Sequence, residues 1–293
     1  MKLLLIGSSV LDYIYKDKTC INKPGGVYYS ALGLSSIIPQ INQLYLLTNY
    51  TNDYYRLVEQ VYSKFNLTNS TIVNDIPIIH LSLHPDKERD ECYQNLSNPL
   101  VIDNKIDYKQ FDGIFINMIT GFDISVDTLE KIRVVKKGIL YCDIHSLARG
   151  IGENNKRTFR KIPMIERWLK CLDIIQVNES EFLTLSDSND KEQIIDEIFN
   201  YGVKGLIITK SKKGVEGYFK EMNTIKKYFL DAESVNSINS VGCGDIFGSV
   251  FFYSYICHKD FGYSLRTANY FAGLFSTYAR YDNFIINLEK QHE

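Results

Sequence analysis

The chain lacks paired cysteines, long uncharged hydrophobic runs, an excess of either charge, internal repeats and low-complexity segments. Each absence removes a class of function. Its six cysteines (Cys20, Cys92, Cys142, Cys171, Cys243, Cys257) are scattered, with no Cys-x-x-Cys and no histidine nearby at ligand spacing. That argues against structural zinc or a disulfide framework, and buried thiols in a reducing compartment are expected. Basic residues number 33 and acidic residues 35, a net charge of -2, so neither nucleic acid nor a membrane surface is an expected partner. The apolar opening Met1-Lys2-Leu3-Leu4-Leu5-Ile6-Gly7 is too short for a signal peptide or a transmembrane helix and reads as a buried first strand. A soluble, cytoplasmic protein is the expectation.

What is present is enough apolar residue, 45% of 293, to bury a large core. Near-continuous apolar runs at 3–6, 44–47, 114–117, 139–143, 174–177 and 206–209 alternate with helical patterns at 27–37, 54–65, 126–136, 192–201, 245–257 and 263–278. That rhythm predicts an α/β fold with a mostly parallel sheet covered on both faces, whose ligands bind at the carboxyl ends of the strands. Two hairpins interrupt the rhythm, at 13–22 and 78–96, and are expected to pair into a small antiparallel flap over one domain spanning 1–293. Segment 149–161 is polar and basic, as a mobile loop would be. His145 follows a strand and is read first as a hydrogen-bonded structural histidine, the alternative being that it faces a site.

The run Asn239-Ser240-Val241-Gly242-Cys243-Gly244-Asp245-Ile246-Phe247-Gly248 carries most of the chemistry. A glycine turn feeding an apolar helix points free N–H groups and the positive dipole end at one spot, an anion site. Asp245 then lies beside a bound anion, and a base beside a phosphate suggests phosphoryl transfer to a hydroxyl. Taken alone, the motif is equally a tight turn with an ordinary first-turn aspartate. Other post-strand segments add to it. The turn Gly7-Ser8-Ser9-Val10-Leu11-Asp12 ends in a carboxylate suited to accept from the hydroxyls of a polyol. Pro24-Gly25-Gly26 opens a helix where backbone N–H groups can approach a small ligand. Asn178 and Glu181 share a helix face, either as a capping box or as a pair that orders hydrated Mg²⁺, and both can hold at once.

Together these segments resemble the ribokinase/PfkB family of carbohydrate kinases. The family's Asp-Thr-x-Gly-Ala-Gly-Asp is similar to residues Asn239 to Asp245, its di-glycine helix start to Gly25-Gly26 with Ala31-Leu32, and its Asn-x-x-Glu to Asn178 and Glu181. Thr209-Lys210-Ser211-Lys212-Lys213-Gly214-Val215 resembles the nucleotide loop with Ser211 at its first glycine, and Ala268-Asn269 resembles the pair near the adenine. Tyr28, Tyr29, Ser30 and the short first flap segment look more like myo-inositol kinase and related sugar kinases.

The resemblance implies a ribokinase-like three-layer α/β/α fold with a β lid, and ATP and Mg²⁺ as donor and cofactor. Asp245 would be the general base, with Gly242, Cys243 and Gly244 forming the anion hole. Asp12, Gly25, Gly26 and Tyr29 would hold a sugar, polyol or nucleoside acceptor, although Tyr29 is equally suited to core packing. Asn178, Thr209, Lys210, Gly214 and Asn269 would hold the nucleotide, and Glu181 would serve the metal. Asn239 and Ser240 stand where the family has Asp-Thr, which implies either a weaker metal site or more reliance on Glu181. The resemblance also allows a homodimer joined through the lid. Two other readings are a catalytically silent ligand-binding protein on the same fold and an NAD-dependent enzyme. The second fails because Gly7-Ser8-Ser9-Val10 is not a dinucleotide fingerprint.

Overall fold

Six apolar strands align in parallel: Lys2–Ile6, Gln43–Leu47, Gly113–Asn117, Ile139–Asp143, Ile174–Asn178 and Gly205–Thr209. Two further strands, Val215–Glu221 and Thr224–Leu230, extend this sheet antiparallel at one edge. The computed structural model describes residues 1–16, 19–39, 41–84, 90–96, 99–102, 106–136, 138–222, 224–238, 240–278 and 284. Alternate residues of each parallel strand feed opposite cores. Leu3 and Leu5 join the helices Val27–Ile37, Cys243–His258 and Phe261–Ser276. Leu4 and Ile6 join Val126–Val135, Ile165–Cys171 and Lys191–Asn200 on the other face. A sheet buried on both faces requires this near-continuous apolar sequence, and the result is the expected α/β/α layering. The helix 165–171 and the edge hairpin are additions to the elements read from the sequence.

The first strand lies between Gln43–Leu47 and Gly113–Asn117, so the chain leaves it in opposite directions on its two sides. The loops diverge at such a switch point and leave a crevice at the carboxyl ends. Gly7, Ser8 and Asn117 stand there.

A second, four-stranded sheet is built from Ser9–Lys16, Thr19–Gly26, Ile78–Ser82 and Asp90–Gln94. Three expectations need correction here. Each hairpin is antiparallel internally, but Ser9–Lys16 pairs with Ile78–Ser82 in parallel, so the flap is mixed. Asp12 is not in a turn, because the strand already begins at Ser9 and Gly25-Gly26 end its partner. The segment read as a mobile loop pairs Arg149–Ile151 with Arg157–Phe159 in a hairpin. Residues 17–18 and 85–89, at the expected hairpin tips, lie outside the described residues, as does Asn239. The thiols also differ from expectation. Cys142 and Cys171 are buried, whereas Cys20 and Cys257 are exposed. No helix among the described residues is long and apolar enough to cross a membrane.

Candidate active site

Gly242 caps the 16-residue helix Cys243–His258 with φ 86°, a left-handed conformation that glycine adopts without strain. A side chain there would overlap the ring of Tyr29, so the turn is packed directly on that residue. The first bond of the helix runs from Ile246 N to Gly242 O, which places the N–H groups of Cys243, Gly244 and Asp245 ahead of the intrahelical ladder. A Cβ on Gly244 would meet only Gln176 Nε2, at 3.9 Å, so this side of the turn is open. Burial first, and then Asp245, push the Cys243 thiol up to about 12. The cysteine is therefore a neutral group in the turn and not a nucleophile.

Asp245 is fixed from the sheet. Asn117 Nδ2 donates to Asp245 Oδ1 at 2.6 Å and to Ser30 Oγ at 2.8 Å. Ser249 Oγ donates to the carbonyls of Ser30 and Asp245, both at 2.8 Å, tying the phosphate-side helix to Val27–Ile37. Beneath the turn, Gln176 Nε2 donates to Gly244 O at 3.0 Å and to Asp143 Oδ2 at 2.9 Å, while Tyr141 donates to Gln176 Oε1. In the sequence Asn117 was visible only as the end of a strand and Gln176 only as a residue within one. Their contacts span 128 and 68 positions, which no local pattern reveals.

The crevice between lid and sheet is lined by Asp12, Gly26, Tyr29, Glu91, His145, Gly242 and Asp245, among others. The expected acceptor side and the expected base thus share one cavity. Asp12 is only 3% exposed, and a side chain on Gly25 would overlap its carboxylate. Gly25 is therefore small because Asp12 lies across it. Tyr29 is buried and meets Tyr28 and Phe275 edge-on, so it both packs the core and walls the cavity. His145 is hydrogen-bonded, its Nδ1 pairing with Ser146 Oγ at 2.8 Å, and it also lines the cavity, so features of both readings are present.

The residues expected to hold the nucleotide fall into two groups. Asn178 and Thr209 are paired in register at the ends of adjacent strands. Asn178 Oδ1 accepts from Ser180 N and Glu181 N, and both Glu181 oxygens accept from Asn178, a complete capping box. Lys210 pairs with Glu216 and stands 4.0 Å from Glu179. Ser211, the position of the missing glycine, has φ 51°, the left-handed region that favours glycine. In the second group, Gly214 packs on the backbone of 230–232, and Asn269 Nδ2 donates to Asp231 O at 2.9 Å.

Comparison with known proteins agrees with this geometry. Residues 141–282 match the pfkB family carbohydrate kinase domain. Among curated proteins none matches the chain by sequence. A pyrophosphate-dependent kinase in the ribokinase family, complexed with a pyrophosphate analog and myo-inositol, superposes with TM-score 0.75 at 17% identity over 97% of this chain and 99% of its own. A ribokinase from Thermotoga maritima gives 0.72 at 17% over 99% of both chains. A putative ribokinase II from E. coli, in complex with ATP and Mg²⁺, gives 0.74 at 18% over 100% of this chain and 99% of its own. At such identities these likenesses establish the fold. The chain therefore has a ribokinase-like fold whose residues 141–282 match the pfkB carbohydrate kinase domain, and kinases of that family are phosphotransferases that act on sugar hydroxyls.

Proposed function

We propose that this protein transfers the γ-phosphoryl group of ATP to a hydroxyl of a small sugar, polyol or nucleoside. The observation that carries the proposal is the position of Asp245, in the first turn of the glycine-capped helix and on the same cavity as Asp12. Asp245 takes the proton of the acceptor hydroxyl as its oxygen bonds to the γ-phosphorus and the bridging oxygen leaves with ADP. Asn117 holds that carboxylate in place. The N–H groups of Gly242 to Asp245 receive the charge that develops on the transferred group. Asp12 and the Gly25-Gly26 turn orient the acceptor, with Tyr29 as one wall.

Asn178, Thr209, Lys210, Gly214 and Asn269 hold the nucleotide on this reading. Both Glu181 oxygens already accept one hydrogen bond each. That suits contact with a hydrated Mg²⁺ through water, since the ion usually keeps several waters and each oxygen has a second lone pair. When bound, the metal neutralises charge on the phosphates.

The cavity is narrow, about 30 Å³, and partly open to solvent. On this reading the lid moves to admit an acceptor, and closing it excludes water from the transfer. The test is a panel of sugars, inositols and nucleosides assayed with MgATP and, in parallel, with magnesium pyrophosphate, because a neighbour of this fold is described as pyrophosphate-dependent. Turnover with MgATP supports the proposal. Turnover with pyrophosphate alone replaces the donor, and binding without turnover by either donor favours a silent binder.

A further inference from the structure

Among apolar residues the inner face of the lid carries two carboxylates, with Lys23 opposite one of them, Asp12, in the register. Residues alternate along a strand, so Glu91 and Tyr93 point inward together, opposite Leu81 and Ile79 in the register. Asp12 stands beside Ile79 in the next strand. Glu91 is 2% exposed and lines the cavity, and Arg149 Nη2 lies behind it at 3.8 Å from Oε1. Arg149 is itself buried and stacks on Phe159 at 4.0 Å. Its neighbour Arg157 gives Nη2 to the carbonyls of Ser146 and Arg149 and lies over the Tyr93 ring. Lys23 stands across the strand pair from Asp12. Both cations nearest these carboxylates in the register and the ion pairing thus sit beside a carboxylate, and the described lining residues include no lysine or arginine.

Three carboxylates, Asp12, Glu91 and Asp245, therefore line one narrow cavity. A carboxylate accepts hydrogen bonds and repels anions, and both effects grow where the dielectric is low. We infer that Glu91 is an acceptor-binding residue and that the acceptor is an uncharged polyhydroxy compound, never a phosphorylated sugar. Glu91 accepts a hydroxyl of the acceptor from the lid side, opposite the base. Arg149 is a positioning residue that aims Glu91 and limits its own repulsion of the lid. This inference rests on the kinase reading for the word acceptor, but not for the binding.

Calorimetry without any donor separates the two. Wild type, Glu91→Gln and the double variant Glu91→Gln/Arg149→Met are titrated with myo-inositol, ribose, adenosine, fructose and fructose 6-phosphate. At least one uncharged polyol should bind to wild type, and fructose 6-phosphate should bind more weakly than fructose. Hydrogen bonds to charged groups contribute about 1.5–3 kcal/mol, so Glu91→Gln should weaken polyol binding by roughly 10–150-fold. If Glu91 served only to neutralise Arg149, the double variant would restore affinity; the inference requires that it stay weak. Tighter binding of the sugar phosphate, unchanged affinity in Glu91→Gln, rescue in the double variant, or no binding of any uncharged polyol would each overturn it. Polyol binding with no turnover on adding MgATP or magnesium pyrophosphate would leave the inference standing and defeat the kinase proposal alone.

Discussion

The two sides of the cleft are built differently. On the acceptor side, charged groups are buried and held at single positions: Asp12 against Gly25, Glu91 before Arg149, and Asp245 on Asn117. The donor side is open and its ions are more exposed, with Lys213 73% exposed beside Glu179 at 46%. The domain match, 141–282, takes in the whole donor side together with Arg149 and Asp245, and stops short of Asp12, Glu91 and the di-glycine helix. Burial makes a charge selective, because a wrong partner leaves it unsatisfied in a low dielectric. An exposed lysine attracts any phosphate. On the proposed function, the buried acceptor side is then the more selective of the two.

The largest expected effect tests the boundary between the sides. Asp245→Asn keeps the shape that Asn117 holds but removes the proton acceptor. Its kcat should fall by about 10²–10⁴-fold, the usual contribution of a positioned base, while calorimetry still detects donor binding. A kcat within a few-fold of wild type would dissolve the distinction between base and scaffold.

A smaller effect lies wholly on the acceptor side. Gly25→Ala pushes a methyl into the Asp12 carboxylate, and Asp12→Ala removes that carboxylate. Both should raise acceptor KM, roughly 10–150-fold if one charged hydrogen bond is lost, with donor KM little changed. Equal damage to both constants would mean that the two sides are not independent.

Much of this division was legible in the sequence. The helix 27–37 and the turn at Gly242 were read nearly to the residue, because apolar periodicity and glycine placement are local. The parallel pairing of Ser9–Lys16 with Ile78–Ser82 was not legible, since strands more than 60 positions apart choose orientation through tertiary contacts. Glu91 was hidden for a related reason. It sits in a polar stretch, and its burial depends on the hairpin 149–159 that supplies Arg149. That hairpin looked like a loop because its arginines are charged, yet Arg149 and Arg157 are each only 3% exposed.

On the donor side the expected effects concern stability. Burial opposes ionisation of Glu216, but hydrogen bonds from Lys191, Lys210 and Tyr218 prevail and bring its carboxyl down from 4.5 to about 2. A depressed carboxylate stabilises the fold above its unfolded value and loses that contribution as pH falls. The melting temperature should therefore drop between about pH 4.5 and pH 2, and Glu216→Gln should flatten that part of the profile. An unchanged slope would show that Glu216 is not ordering Lys210. The smallest effect is at Ser211. Relieving its left-handed backbone with Ser211→Gly should stabilise the protein by about 1 kcal/mol or less, seen as a slightly higher Tm with acceptor KM unaltered.

The tight fit between lid and sheet also sets a tempo. The strand Asp90–Gln94 is fastened from outside by Lys156 to Asp90 at 3.1 Å and by the Cys92 thiol to Asn154 O, and from inside by Tyr93 to the carbonyl of Ile119. Opening the lid would, on the proposed function, undo those fastenings and closing it would remake them. On the proposed function, the slowest event in the cycle is then mechanical: the product waits for a strand to peel away. Such an enzyme would be throttled by the viscosity of its surroundings more than by the reactivity of its acceptor.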